Sequence, residues 1–425
     1  MLKRTWLFIA LALSLVLVLP VTAAESPRIE RTTINGMNIL LQKTKAELVE
    51  VTLLLKSGSG LDPRGEKGTA LIMNYFVSVI IRNGNPKLGD FNVETFPDYT
   101  LITVKTDSRG MIEALGQIKE LLSYPLYSYD LITDLKGLLS MDLKAISALR
   151  KSYYRFGREF YGQDHPYNEE MDPEVVASIS GNGIYKWYRQ TYQPGNAILS
   201  ISGGSNKSIA EIAKIFTIMR SEAVDNRLLI NPQSLNQDQR YQIPDPNGRV
   251  ASITIGFPAP RIQDPEYPAF RVIAYYLEEY QHYFEELRVK DGLMYAGFVS
   301  YDYLEKPLAP NIIFLTMTDP SLLKSVERRT LEVVNQLADT GIPEADLAKV
   351  IKAMKAASAA QQAASKGLAT RNALSHYLQN QLIYDDNLWP KLEQLKPEDI
   401  KKAAAKYFKH FIRVASIPEQ MEDNF

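Results

Sequence analysis

The segment Gly68-Thr69-Ala70-Leu71-Ile72-Met73-Asn74-Tyr75 follows a strand-like run, Val49 to Leu55, and a glycine-rich turn, Ser57-Gly58-Ser59-Gly60. It opens an apolar stretch at helical spacing that reaches Arg82, so strand, turn and helix come in immediate succession. Outward from there, β-branched and aromatic enrichment between turn residues predicts strands at Met37 to Gln42, Phe91 to Phe96, Tyr99 to Lys105 and Ala197 to Ser202. Helices are predicted at Gly68 to Arg82, Arg109 to Leu122, Asp130 to Glu159, Pro173 to Tyr192 and Ser208 to Met219. Pairs of strands alternate with helices. This order predicts an α+β lobe over 26–222, with a mainly antiparallel sheet and helices packed on one face.

From Ser221 to Arg249 the character changes, as Asn231, Pro232, Asn236, Pro244, Pro246, Asn247 and Gly248 interrupt any period. The stretch 223–249 reads as a linker. Beyond it, over 250–425, the order of elements repeats. Strands are predicted at Val250 to Phe257, Tyr295 to Tyr303, Asn311 to Thr318 and Ile412 to Ser416. Helices are predicted from Pro265 towards Val289, Pro320 to Leu337, Pro343 to Tyr384 and Pro397 to Phe408. Two halves with the same element order suggest an internal duplication.

With 425 residues, 45% hydrophobic and 23% charged, the chain is long enough for two full cores. A formal net charge of -1 gives no argument for a nucleic-acid partner. Lys3 and Arg4, an apolar run from Trp6 to Leu19 and the small residues Thr22-Ala23-Ala24 have the layout of a secretory signal peptide over 1–24. The expectation is a periplasmic or extracellular protein, with an uncleaved anchor as the alternative. There is no Cys, hence no disulfide and no lipid anchor through an N-terminal Cys.

The strand, turn and apolar helix around Gly68 resemble the start of the pitrilysin/insulinase family of zinc metallopeptidases, which includes the mitochondrial processing peptidase. In that family an H-x-x-E-H helix carries two zinc-binding His and a general-base Glu. Here the five positions read Leu71, Ile72, Met73, Asn74 and Tyr75, so the motif is degenerate at Leu71, Asn74 and Tyr75. The family's third ligand is a downstream Glu, and only Asp142 stands near its place. Phe91-Asn92-Val93-Glu94-Thr95 with Asp98-Tyr99-Thr100, the His165-Pro166-Tyr167 turn and Tyr192-Gln193-Pro194-Gly195-Asn196 carry the likeness further, in the family's order. Over nearly all of the mature chain, the resemblance implies two homologous α/β-roll lobes.

Leu287-Arg288-Val289-Lys290-Asp291-Gly292-Leu293-Met294-Tyr295 resembles the family's LR-x-x-x-GLAY element in the second lobe. Val272, Ile273, Tyr276, Tyr280, Phe284 and Leu287 follow helical spacing, which places Arg288 beside a core-facing stripe at a helix end. Gly292 can take the left-handed conformation that stops the helix, so residues seven apart can converge. The resemblance implies that Arg288 hydrogen-bonds a substrate carbonyl and that the Tyr295 hydroxyl stabilises an oxyanion. An Arg in a last helical turn and a Tyr opening a strand also have ordinary structural uses. The family's Gly-rich turn and Ser before this helix are replaced by Leu277-Glu278-Glu279-Tyr280-Gln281-His282.

Four His and no Cys leave little else for a metal. Glu278, His282 and Glu286, four apart, predict one helical stripe that reads more simply as a charged face. Ser321-Leu322-Leu323-Lys324 matches S-x-x-K but reads as a helix start, and no G-x-S-x-G or phosphate loop is present. The expectation is therefore a chain that binds no cofactor and is inactive alone. It would be the zinc-less subunit of a heteromeric peptidase, with zinc in a homologous partner and a peptide or unfolded protein as substrate. The alternative is a structural or peptide-binding scaffold of the same fold.

Overall fold

The computed structural model describes residues 28–419 apart from 86–87, 124–127, 218, 220–227, 232, 247, 364–366 and 380–384. The signal segment 1–24 lies outside the described residues. In the first half, β1 (Ile29–Ile34), β2 (Met37–Lys43) and β3 (Val49–Leu55) precede α1 (Thr69–Gly84), and β4 (Asp90–Thr95) and β5 (Thr100–Thr106) follow it. Then come α2 (Gly110–Ser123), α3 (Tyr129–Lys144), α4 (Ala148–Tyr161), α5 (Pro173–Ser178), α6 (Gly181–Thr191), β6 (Ala197–Gly203) and α7 (Ile209–Ile215). The second half begins with β7 (Gln239–Asp245), β8 (Ala251–Pro258), α8 (Tyr267–Leu277) and a short α9 (His282–Phe284), which runs into a π-helical turn, Glu285–Lys290. It continues with β9 (Ala296–Tyr301), β10 (Asn311–Thr318), α10 (Leu323–Thr340), α11 (Glu344–Ala363), α12 (Leu368–Leu378), α13 (Asp385–Leu392), α14 (Pro397–Tyr407) and β11 (Ile412–Pro418).

The strands form two sheets, in the orders β1-β2-β6-β3-β5-β4 and β7-β11-β8-β10-β9. Pairing is antiparallel except for β2 with β6 and β7 with β11. This is the two-lobed α+β arrangement expected from the sequence. Four predicted helices are broken. Asp130 to Glu159 splits before Ser147, whose side chain accepts from Arg150 N–H and starts a new helix, and Pro173 to Tyr192 splits at Ser180 in the same way. The stretch from Pro265 breaks at Gln281, which has φ +60°, and Pro343 to Tyr384 divides between Ala363 and Leu368, its end lying outside the described residues. Part of the segment read as a linker is a strand: β7 pairs with β11 from Gln239 to Asp245.

Alternation along β3 explains both faces of the first sheet. Val49, Val51, Leu53 and Leu55 join Ile72, Met73, Phe76 and Val77 of α1 in the lobe's own core. The even side chains face α12, which belongs to the other half of the chain. Thr370 Oγ1 donates to Glu50 Oε1 and lies 3.0 Å from Thr52 Oγ1, and Asn372 donates to Gln42 at 2.9 Å. The second sheet mirrors this. Ala251, Ile253, Ile255 and Phe257 enter its core, whereas Ser252 and Thr254 face Ser152 of α4. Each sheet therefore carries its own helices on one face and a helix of the other lobe on the opposite face.

A third apolar cluster, Phe156, Phe160, Tyr161, Tyr167, Ala309, Ile313, Ile412 and Val414, seals the seam between the lobes. Beside it Lys306, 4% exposed, pairs with Glu169 at 3.0 Å and Asp302 at 3.1 Å, and Tyr153 donates to Glu169 at 2.7 Å. A buried ammonium needs this degree of pairing to remain charged.

Candidate functional site

At the degenerate motif, the Asp62 carboxylate caps α1 by accepting from Gly68 N–H at 2.7 Å and Ala70 N–H at 2.8 Å. Helical spacing then turns Asn74 inward and Tyr75 outward. Leu71 is half-buried, Asn74 is buried and Tyr75 is exposed. The Asn74 amide donates to Thr95 Oγ1 at 2.6 Å and Thr100 Oγ1 at 3.1 Å, and its carbonyl accepts from the Tyr192 hydroxyl at 2.6 Å. The general-base position is thus a neutral hydrogen-bonded knot. Asp142 is exposed and paired with Arg150 at 3.0 Å. This donor set does not suit a zinc ion, which takes imidazole, thiolate or carboxylate ligands. Among the described residues no group of three or more His, Cys, Asp or Glu side chains comes together in a metal-holding arrangement.

The stripe Glu278, His282 and Glu286 is overturned, because the left-handed Gln281 interrupts the helix on which it depended. Glu278 accepts from Val299 N–H at 2.6 Å, His282 stacks on Tyr276 with centroids 4.3 Å apart, and Glu286 is engaged by Lys290 and Arg329. Burial raises the Glu278 pKa and lowers that of His282, so both lean towards their neutral forms.

Arg288 and Tyr295 are brought together. Arg288 lies on the π-helical turn, Gly292 has φ +66°, and Tyr295 N–H pairs with Met317 O at 2.9 Å just before β9. The guanidinium donates to the Tyr295 carbonyl and sits 5.4 Å from the Phe284 ring centroid. Tyr295 is 54% exposed. In the predicted stripe Val272, Ile273, Tyr276 and Leu287 are buried, whereas Tyr280 is exposed. What holds the turn was missed from the sequence: Arg329 on α10 binds Glu286 and, at 2.7 Å, Asp291. A partner about forty residues away leaves no local signal.

Between the lobes lies a cleft of about 910 Å³ whose walls include both inner sheet edges, Asp90 to Asn92 and Glu94 of β4, and Val299 to Tyr301 of β9. None of Leu71, Asn74, Tyr75, Arg288 or Tyr295 lines it.

Residues 178–354 match the family model described as Peptidase M16 inactive domain, M16 being the pitrilysin/insulinase family. That match covers less than half of the chain. No curated protein matches it. Among solved structures it is similar to a protease from Helicobacter pylori, with a TM-score of 0.80 at 19% identity over 92% of this chain and 100% of that one. The M16 inactive domain from Pseudomonas fluorescens gives 0.80 at 17% over 92% and 98%. The periplasmic protease PqqL from Escherichia coli gives 0.71 at 15% over 94% of this chain and 48% of that one. These likenesses establish the M16 fold for this chain.

Proposed function

We propose that this M16-fold chain is the non-catalytic subunit of a heteromeric, exported metallopeptidase. In this reading a homologous partner with an intact H-x-x-E-H motif supplies the zinc and the general base. This chain supplies Arg288, Tyr295 and half of a peptide-binding chamber. The observation that carries the proposal is a contrast within one molecule: the family's base position is closed into the Asn74 knot, while Arg288 is held against the main chain of Tyr295 and both side chains stay exposed. Tyr280 and Phe298, 40% and 38% exposed, add apolar surface in the same part of the second lobe. The match to an inactive-domain model supports the non-catalytic half of the reading.

Chemically, Arg288 would donate to a substrate carbonyl already in the ground state, and the Tyr295 hydroxyl to the oxyanion that develops later. The test is steady-state kinetics on the complex reconstituted with a zinc-binding homologue, with assembly checked by sedimentation. Tyr295→Phe should leave assembly intact and lower turnover by about 10² to 10³-fold. Arg288→Ala should also raise KM. Wild-type kinetics in both variants would remove the catalytic role and leave a peptide-binding scaffold.

A further inference from the structure

The tip of the β4–β5 hairpin carries a buried acid that the peptidase reading does not use. Asp98 is 3% exposed and accepts from the Tyr167 hydroxyl at 2.6 Å. That hydroxyl accepts in turn from Leu308 N–H, at 3.2 Å, in the loop before β10 of the other lobe. Two more bonds tie the same tip to the second half of the chain: Tyr99 OH donates to Leu304 O at 3.0 Å, and Tyr377 OH of α12 to Asp98 O at 3.4 Å. Among the described residues no cation is paired with the Asp98 carboxylate, in contrast to the neighbouring Lys306 cluster.

We propose that Asp98 is a proton-operated latch between the lobes, closed when the carboxyl is protonated and loosened when it ionises. An ionised carboxylate out of water and without a cation is costly, and separating the hairpin tip from the Leu304 to Leu308 loop rehydrates it. Leu304 and its neighbour Tyr303 line the inter-lobe cleft, so this separation widens the space between β4 and β9. The direction with pH follows from the two states. Burial raises the Asp98 pKa to about 7 in the closed form, against the lowering effect of the Tyr167 hydroxyl, whereas a hydrated Asp titrates near 4. Between those values the open form is deprotonated and the closed form is not. The latch therefore weakens as pH rises from about 4 to about 7 and is unchanged above that.

Other titratable groups surround the tip. Glu94 lies on the hairpin itself, and Asp62 and Lys67 flank the turn that pairs with Phe96 and Pro97. His165 precedes Tyr167, the facing loop carries Asp302, Glu305 and Lys306, and His376 and Tyr377 come from α12. His165 and His376 have lowered pKa values, so they act as pH falls, the opposite sense. Burial raises Glu305 as well, in the same sense as Asp98, and also raises Asp62, at the start of α1.

The experiment is amide hydrogen exchange on the full chain between pH 5 and pH 8, corrected for intrinsic exchange, in peptides covering 96–100 and 303–309. Wild type should lose protection in both by at least tenfold across the range. Asp98→Asn, which mimics the protonated acid, should stay at the pH 5 level throughout, and Glu305→Gln should keep the wild-type slope. A slope that survives in Asp98→Asn, disappears in Glu305→Gln or is missing from wild type would overturn the proposal. Should Asp98→Asn not fold, Tyr167→Phe decides: loss of the donor to the ionised form should move the midpoint to higher pH, and an unmoved midpoint rejects the latch.

Discussion

Asn74 is the residue at which this chain departs most clearly from the H-x-x-E-H pattern. Its side chain uses both amide hydrogens and its oxygen on Thr95, Thr100 and Tyr192, inside the lobe core rather than at its surface. Restoring the motif with Leu71→His, Asn74→Glu and Tyr75→His would put an acceptor-only carboxylate where the fold needs two donors. It would still leave Asp142 paired with Arg150 on the surface. The triple variant is expected to hold no stoichiometric zinc, to cleave no peptide and to lose about 2–4 kcal/mol of stability from the unsatisfied buried groups. Elemental analysis after dialysis and urea unfolding check it. Robust peptidase activity would mean that the site is far better preserved than the Asn74 knot implies. Asn74 itself was visible in the sequence as a lost base, but its three partners were not, since Tyr192 lies 118 residues away.

At the scale of elements, the crossing of α4 over β8 is set by one glycine. A Cβ on Gly256 would lie 2.2 Å from Phe156 Cζ, so the bare backbone is what lets the aromatic ring reach the sheet. Gly256→Ala is expected to cost about 1–3 kcal/mol by overpacking, and Phe156→Leu in the same chain should recover part of it. A denaturation midpoint unchanged in Gly256→Ala would show that the ring moves aside freely. The π-helical turn is governed by the same kind of long-range contact: Arg329 neutralises Glu286 and Asp291, and Arg288 is carried on the turn between them. Sequence periodicity treated this region as the end of one helix. It had no means of seeing the left-handed Gln281 or the anchor supplied by α10.

On the scale of the whole molecule, the exchange of helices joins the lobes into one folding unit. The opposite face of the first sheet is covered by α12 and that of the second by α4, so either half alone exposes a sheet face on which Glu50, Thr52, Ser252 and Thr254 stand among apolar side chains such as Leu54 and Val414. The seam adds the Tyr161 and Tyr167 cluster and the buried Lys306 pairs. Residues 28–222 and 228–425 expressed apart are expected to show no cooperative thermal unfolding, and co-expressed to assemble and regain one transition. A cooperative transition in either half alone would show that the exchanged helix is dispensable. The cut has to precede Gln239, because β7 completes the second sheet.

What the sequence determined by itself was everything carried by local periodicity. The strands Val49–Leu55 and Asn311–Thr318 fall where alternation and turn residues put them, and the repeat of element order gave the two lobes. The degenerate motif and the nearness of Arg288 to the Tyr295 main chain were legible because both depend on spacing within about ten residues. Tertiary structure alone decided the rest. The edge strands β1 and β7 are polar and partly exposed, with too little hydrophobic contrast to register, and exist because β2 and β11 offer them backbone partners. Asp98 is an ordinary acid in a turn until Tyr167, Leu308 and Tyr377 enclose it. Which face of a sheet receives a helix from the other lobe, and which carboxyl loses its water there, depends on contacts hundreds of residues apart, and no local pattern encodes them.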